Sequence, residues 1–176
     1  MRDYFLQTKR LGFGQWTTDD VHLTHQLWGD ADVTRLIGGP FSLEQIQNRL
    51  DQEINHQQIH GFQYWPLFEL NTQQFVGSCG LKPRALGQGI VEMGYQLRVN
   101  SWGKGYATEA AGLVLEYAFS RLNLSAVYAG HHPDNHGSRK ILLALGFEYT
   151  HEEFYVPTQQ MEPSYLLTRE RYLQSN

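Results

Sequence analysis

A glycine-rich turn at residues 100–105 carries the clearest chemical signal in this sequence. Gly103 and Gly105 flank Lys104 where a helix is predicted to begin, so backbone N–H groups are left free at the positive end of the helix dipole. Glycine lets an anion approach the backbone closely, Lys104 adds positive charge, and the Thr108 hydroxyl lies in the first helical turn. These residues predict an anion-binding site, although an ordinary tight turn with an exposed lysine has the same short pattern.

A strand and a helix must hold this turn in place. Before it, Tyr95, Leu97 and Val99 alternate with polar residues, which predicts a strand with two unlike faces. After it, apolar residues recur at spacings of three and four, which predicts a helix with one face against a sheet. The residues of that face are Ala107, Ala110, Ala111, Val114, Leu115, Ala118 and Leu122. The turn therefore joins the end of a strand to the start of a helix.

The turn differs from two common nucleotide-binding loops. It lacks the G-x-x-x-x-G-K-[ST] of a Walker loop, and Thr108 stands where a dinucleotide fingerprint has its third glycine. It resembles instead the acetyl-CoA signature of the GNAT superfamily of N-acetyltransferases, [RQ]-x-x-G-x-[GA], from Trp102 to Ala107. Trp102 departs from the Arg/Gln of that signature.

A second match lies downstream and narrows the resemblance. The string G-K-G-Y-A-T-E-A is similar to the branch related to ribosomal-protein-alanine N-acetyltransferases, and the N-x-x-S…G-F ending of that branch is also present. That ending is carried by Asn135, Ser138, Leu142, Gly146 and Phe147. The resemblance spans nearly the whole chain, from Thr8 to Tyr172.

The resemblance implies a fold and an activity. The fold is mixed α/β, with a twisted sheet of about seven strands splayed between strands 4 and 5 and about four helices on its faces. The activity is transfer of an acetyl group from acetyl-CoA to a primary amine by direct attack in a ternary complex, with no metal. A protein N-terminal α-amine and a small-molecule amine remain alternative acceptors. A non-catalytic acyl-CoA-binding module is the rival, motivated by Trp102 and by Leu142, which stands at a place where many members have tyrosine.

The resemblance also assigns cofactor contacts. The residues expected around the pyrophosphate are Gly103, Lys104, Gly105, Tyr106, Ala107 and Thr108. The strand edge at Leu97, Arg98 and Val99 would pair with the pantetheine amides, with the Leu97 N–H facing the oxyanion. Asn135 would contact the pantetheine arm, and it is also a good N-cap residue.

Two residues are predicted to move protons. Glu92 is the candidate base, acting through a water, and a solvent-facing carboxylate is its alternative. A strong base is hardly needed for an α-amine, because at pKa near 7.8 about a third of it is neutral near pH 7.4. Ser138 is the candidate to protonate the leaving thiolate or to relay a water.

The acceptor pocket is expected under the first two helices. The resemblance alone suggests that it is shaped by Trp28, Arg35, Phe41 and Trp65. Aromatic residues at such places are also common in cores. His131, His132 and His136 are expected near the surface at the cofactor mouth, and no metal is expected because cysteine and a fourth ligand are missing.

Length and charge limit the other classes. The 176 residues predict one domain over residues 1–176. The net charge of −4 and the pI of about 6.0 argue against a nucleic-acid partner. A single cysteine, Cys79, with no leader and no apolar run of membrane length predicts a cytoplasmic protein without a membrane partner. An exposed terminal strand at residues 165–167 would allow a homodimer.

The remaining elements follow from caps and alternation. Two capping boxes, Thr17 with Asp20 and Ser42 with Gln45, are predicted to start helices. A late helix is predicted to end at Gly146. Strands are predicted at residues 9–15, 63–70, 75–81, 90–99, 125–130, 147–155 and 165–172.

Overall fold

One mixed sheet organises residues 2–175, which the computed structural model describes. Its strands are β1 (Leu6–Gln7), β2 (Leu11–Phe13), β3 (Tyr64–Glu69), β4 (Phe75–Ala85), β5 (Ile90–Leu97), β6 (Ala126–Gly130), β7 (Glu148–Tyr155) and β8 (Gln160–Thr168). Their order is β1-β2-β3-β4-β5-β6-β8-β7. The helices are α1 (Val21–Trp28), α2 (Ala31–Thr34), α3 (Leu43–His60), α4 (Tyr106–Glu116), α5 (His136–Ala144) and α6 (Arg169–Ser175). The mixed α/β class is confirmed.

The sheet opens between β5 and β6. These strands pair in parallel over only three positions, from Ile90 with Ala126 to Glu92 with Tyr128. Beyond them β5 continues to Leu97 and β6 to Gly130, so the two strands diverge and leave a gap. This is the predicted splay, because the fourth and fifth strands expected from the sequence, at 90–99 and 125–130, are β5 and β6. The N-terminal segment forms two short strands rather than one, which gives eight strands across residues 2–175 rather than about seven.

Helix α4 closes one face of the sheet and presents the glycine turn at the gap. Its buried residues Ala110, Ala111, Val114 and Leu115 match the predicted apolar face, and the helix packs on β4 and β5. Small alanines bring the helix close to the sheet, while each larger buried side chain contributes roughly 1.5–3 kcal/mol. The predicted helix continues as a π-helical turn over Tyr117–Arg121.

A second apolar cluster joins α1 and α3 to the start of β4. Both predicted capping boxes are present, at Thr17 with Asp20 and at Ser42 with Gln45. The cluster packs Trp16, Leu23, Leu27, Trp28, Ile46, Leu50, Phe68 and Phe75. It fixes α3 beside the open part of β5, where the side chain of Arg49 reaches Gln96.

The C-terminal segment departs from the prediction. β8 ends at Thr168 and residues 169–175 form α6, so the predicted strand at 165–172 is too long. β8 also lies between β6 and β7 in the sheet, so residues 165–167 are not an exposed edge, and the dimer argument built on them is wrong. The edge strand at this end of the sheet is β7, where Tyr149 and Phe154 are exposed. No helix within residues 2–175 has the length and apolar composition to cross a bilayer.

Candidate active site

The glycine turn has the backbone geometry of an anion site. Gly103 and Gly105 have φ angles of 72° and 78°, in the left-handed region that favours glycine, and Gly105 is the N-cap of α4. The N–H groups of the first helical turn, from Tyr106 to Thr108, have no intrahelical partner because the first helical bond runs from Glu109 N–H to the Gly105 carbonyl, at 3.1 Å. A Cβ at Gly103 would meet nothing within 4 Å, so there is open space beside the turn. A pyrophosphate fits these donors and this space.

The Arg10 side chain holds the turn and the start of α4 together through hydrogen bonds. Its Nη1 donates to the Lys104 carbonyl at 2.9 Å, and its Nε donates to Glu109 Oε2 at 2.7 Å. Burial acts to raise the pKa of Glu109, but hydrogen bonds from Thr8 and Arg10 hold that pKa below its usual value. The Tyr106 hydroxyl bonds to Glu69. Tyr106 therefore offers the turn its backbone N–H, while its side chain anchors the start of α4.

A cleft of about 480 Å³ opens beside the turn, and we call it the turn cleft. Of the residues predicted to bind cofactor, it is lined by Leu97, Gly103, Gly105, Tyr106, Ala107, Thr108 and Asn135. Lys104 does not line it. Arg98 and Val99 line a separate depression together with Asn100 and residues of α1, because β5 ends at Leu97 and a 3₁₀ turn begins at Val99. The predicted strand edge is therefore shorter than the sequence suggested.

Leu97 is the last residue of β5, and its backbone faces the gap. The Arg98 N–H donates to the carbonyl of Val76, a residue of β4, at 3.0 Å. Because backbone groups alternate sides along a strand, the Leu97 N–H points away from β4 and toward the open edge. The Leu97 carbonyl accepts a 2.7 Å bond from Trp102 Nε1. The indole that replaces the signature Arg/Gln thus caps the end of β5.

A second cavity, the inner cavity, adjoins the turn cleft and has a volume of about 360 Å³. Its walls come from the segment after α2, from α3, from β3 to β6 and from the β7–β8 hairpin. The residues that line both spaces are Leu36, Ile37, Tyr95, Gln96, Asn135 and Ser138. The two spaces are therefore contiguous, and they meet beside the gap between β5 and β6.

Tyr95 and Ser138 stand at that junction. The Tyr95 hydroxyl lies 2.8 Å from Ser138 Oγ, and the Ser138 N–H donates to Asn135 Oδ1 at 3.0 Å, so Asn135 caps α5. Burial raises the pKa of Tyr95 well above its usual value, so its hydroxyl stays protonated. Sequence reasoning treated Tyr95 only as a strand residue. The available signal was its position two residues before Leu97, on the same face of β5.

Glu92, the predicted base, lines the inner cavity but is engaged. Its Oε1 lies 2.8 Å from Lys82 Nζ, and its Oε2 lies 3.3 Å from Arg84 Nη1. Arg84 also pairs with Glu153 at 2.5 Å. Both carboxylate oxygens of Glu92 are therefore in ion pairs with cations of β4.

His131 lines the same cavity and is buried, with 6% of its surface exposed, in contrast to the surface position expected from the sequence. Its Nδ1 lies 2.8 Å from the His132 carbonyl, which can only accept, so Nδ1 carries the proton and Nε2 has the lone pair. Nε2 is buried without a partner among the described residues. Burial lowers the pKa of His131, so the ring is a neutral acceptor at neutral pH. Within residues 2–175 no three His, Cys, Asp or Glu side chains gather as metal ligands.

The four residues predicted to shape the acceptor pocket fall into different places. Trp65 is fully buried, lines neither cavity and packs against Tyr117 at 5.2 Å, so it is a core residue. Trp28 is also fully buried and does not line the inner cavity. Its Nε1 donates a 2.7 Å hydrogen bond to the side chain of Gln96, which does line it. Phe41 is half-buried beside α3. Arg35 lines the turn cleft rather than the inner cavity.

Comparison with known proteins identifies the family. The family model described as an acetyltransferase (GNAT) domain matches residues 10–148. The chain belongs to the GNAT family of acetyltransferases. The uncharacterized N-acetyltransferase p20 of Bacillus licheniformis is 32% identical over 145 residues, which cover 81% of this chain and 82% of p20. As a GNAT member the chain is an N-acetyltransferase, as predicted.

Solved structures confirm the GNAT fold. A spermidine N-acetyltransferase from Vibrio cholerae, in complex with CoA and spermine, has a TM-score of 0.80 at 17% identity, covering 94% of this chain and 99% of its own. A ribosomal-protein-S5-alanine acetyltransferase from Vibrio fischeri has a TM-score of 0.76 at 17% identity, covering 97% and 99%. Since these two GNAT neighbours are named for different acceptors, the fold does not select the acceptor.

Proposed function

We propose that this GNAT enzyme transfers the acetyl group of acetyl-CoA to the amine of a small molecule bound in the inner cavity. The observation that carries the proposal is the wall of that cavity, which includes Arg49 of α3, Tyr128 of β6, and Phe154 and Tyr155 of β7. Because residues of a helix and two strands surround the cavity, it suits a compact acceptor. A protein N-terminus would need an open groove for the chain that follows it, so the cavity favours a small amine over the ribosomal-protein acceptor.

The turn cleft would hold the co-substrate. The free N–H groups at the start of α4 and the Thr108 hydroxyl bind the pyrophosphate, and the open edge of β5 pairs with the pantetheine amides. Acetyl-CoA supplies the thioester carbon that the amine attacks. The Leu97 N–H donates to the carbonyl oxygen as negative charge develops there, and one such donor is typically worth about 2.7–4 kcal/mol.

Tyr95 and Ser138 serve the leaving group. As the amine nitrogen bonds to the carbonyl carbon, the carbon–sulfur bond breaks and its electrons pass to sulfur. The protonated Tyr95 hydroxyl, oriented by Ser138 at 2.8 Å, donates to that sulfur. Tyr95 thus provides the hydroxyl missing at Leu142, and it removes one of the two reasons for proposing a non-catalytic CoA-binding module.

The proton of the amine must be accepted by a side chain that lines the inner cavity. The His131 ring is neutral and its Nε2 has no partner among the described residues, so it is our candidate to accept the proton. Glu92, the residue predicted from the sequence, can do so through a water, although its two oxygens already pair with Lys82 and Arg84. We favour His131 because its Nε2 has no hydrogen-bond partner among the described residues, whereas both oxygens of Glu92 are in ion pairs.

CoA release tests the proposed function. The purified protein is mixed with acetyl-CoA and a panel of small amines and N-terminal peptides, and acetyl-CoA binding is measured by calorimetry in parallel. Turnover with small amines but not with peptides is the expected result. Turnover confined to peptides would overturn the acceptor assignment, and tight binding without any turnover would favour the non-catalytic module.

A further inference from the structure

The inner cavity contains three cations, and only one of them lacks an acidic partner. Lys82 pairs with Glu92 at 2.8 Å, and Arg84 pairs with Glu92 and Glu153 at 3.3 and 2.5 Å. Arg49 lines the cavity from α3 and forms no ion pair within residues 2–175. A half-buried cation without a counter-charge is costly unless a ligand supplies one.

Arg49 is held in a defined position. Its guanidinium carbon lies 4.5 Å from the centroid of the Trp28 ring and 5.9 Å from that of Phe41. Its Nη2 donates to Gln96 Oε1 at 3.1 Å, and the same oxygen accepts from Trp28 Nε1 at 2.7 Å. Of the five N–H groups of a guanidinium, this bond uses one. The remaining donors suit a planar, two-oxygen anion.

Glu53, on the same helix, forms no ion pair with Arg49. Glu53 lies one turn along α3, where its Oε2 accepts the Tyr64 N–H at 2.7 Å and forms no ion pair. Burial raises the pKa of Glu53 to about 7, so its carboxyl carries only part of a negative charge at neutral pH. Glu53 attracts Arg49 electrostatically, but no ion pair joins the two side chains, so the remaining guanidinium donors stay available to a ligand.

The wall formed by the β7–β8 hairpin carries an acidic side chain that lacks a cationic partner among the described residues. Glu162 of β8 lines the cavity and accepts a 2.8 Å bond from the Thr158 hydroxyl. It forms no ion pair with any cation in the part of the chain that the structure describes. The cavity thus offers one uncompensated cation on α3 and one uncompensated acid on β8, and the neutral side chain of His131 also lines it.

From this arrangement we propose that the acceptor is an amino-acid-like molecule, with a carboxylate that binds Arg49 and an amine that faces Glu162, His131 and the Tyr95–Ser138 junction. The inference rests on the proposed function and narrows its acceptor class. A carboxylate matches the fork of the guanidinium through two parallel hydrogen bonds. A polyamine has no carboxylate to pair with Arg49. Its second ammonium group would add a positive charge to the cavity, where Glu162 already faces the first.

Matched acceptors test the assignment. Initial rates are measured with the common L-amino acids and with their α-carboxamides, which keep the side chain and replace only the carboxylate. We expect kcat/KM to favour at least one amino acid over its carboxamide. Arg49→Gln should lower kcat/KM for that amino acid roughly ten- to hundredfold and leave the carboxamide nearly unchanged. Arg49→Lys, which keeps the charge but loses the fork, should fall between them.

Two controls separate this inference from the proposed function. Arg121→Gln removes a positive charge from an exposed position away from both cavities and should not change the preference. Calorimetric titration of the CoA-loaded protein with the same amino acids reports the carboxylate site without turnover. Binding that Arg49→Gln abolishes, in the absence of turnover, supports the site while the proposed function fails. Equal rates or equal binding for amino acid and carboxamide, or no binding and no turnover of either, overturns the inference.

Discussion

The Tyr95 hydroxyl lies 2.8 Å from Ser138 Oγ, at the point where the turn cleft meets the inner cavity. One residue comes from β5 and the other from the first turn of α5, so the contact bridges the two sides of the gap in the sheet. Both residues line both spaces. The pair is therefore the place where acetyl donor and acceptor meet in the proposed function.

Removal of the Tyr95 hydroxyl should slow acetyl transfer. We expect Tyr95→Phe to lower kcat about 10²-fold or more if its hydroxyl protonates the leaving sulfur, because positioned acids typically contribute that much. The KM for acetyl-CoA should change little. Ser138→Ala should give a smaller loss, and the double variant should be no slower than Tyr95→Phe, since the two hydroxyls act as a unit. Steady-state kinetics of all three variants measure this, and an unchanged kcat in Tyr95→Phe contradicts it.

Gly105 should be needed for acetyl-CoA binding. Its φ of 78° costs a residue with a side chain about 1–2 kcal/mol, so Gly105→Ala should distort the start of α4 and weaken acetyl-CoA binding. Gly112→Ala is the matched control, because Gly112 lies inside α4 with nothing within 4 Å of an added Cβ. Calorimetry should show weaker binding for the first variant only. Equal affinities would remove the turn from the binding site.

His131 should control the acidic limb of the pH–rate profile. A base must be unprotonated to act, so kcat/KM should fall as pH drops through the His131 pKa, which burial holds below its usual value of 6.5. The charges that act on this pKa come from Arg139 and His136 on α5 and from Glu152 on β7. His131→Gln should lower kcat/KM about 10²-fold and remove this limb.

Two companion variants decide between the candidate bases. His22→Gln removes an exposed imidazole that lies outside both cavities and is not among the charges that act on His131, so it should leave the profile unchanged. Glu92→Gln should lower the rate by loosening Lys82 and Arg84 but retain the acidic limb. If the limb persists in His131→Gln and disappears in Glu92→Gln, the base predicted from the sequence is the correct one.

Glu53 should make the protein less stable as pH rises. Its pKa is raised from 4.5 to about 7, mainly by burial, so the folded state binds the proton more tightly than the unfolded state. The free energy of unfolding should therefore fall between about pH 4.5 and pH 7, by roughly 3 kcal/mol in total, and then level off. Glu53→Gln, which still accepts the Tyr64 N–H, should lack this decline. Urea unfolding across this pH range measures it, and the exposed Glu116→Gln should behave like the wild type.

Local signals in the sequence predicted much of the fold. Both capping boxes and the apolar face of α4 are present as expected, since each depends on residues within a few positions of one another. The positive φ angles at Gly103 and Gly105 follow from the same kind of local pattern. The β8 position was predicted wrongly, because which strands become neighbours depends on how distant segments pack rather than on alternation within a strand.

The sequence by itself determined the family, the mixed α/β class and the glycine turn, because these rest on short motifs and on periodicity. Only the tertiary structure decided which side chains line the two cavities. Tyr95 meets Ser138 from 43 positions away, and Arg49 meets Gln96 from 47 positions away. The same packing pairs Glu92 with Lys82 and Arg84 and leaves Arg49 without an acidic partner in residues 2–175. Burial, pairing and pKa depend on neighbours in space, which no local pattern in this chain specifies.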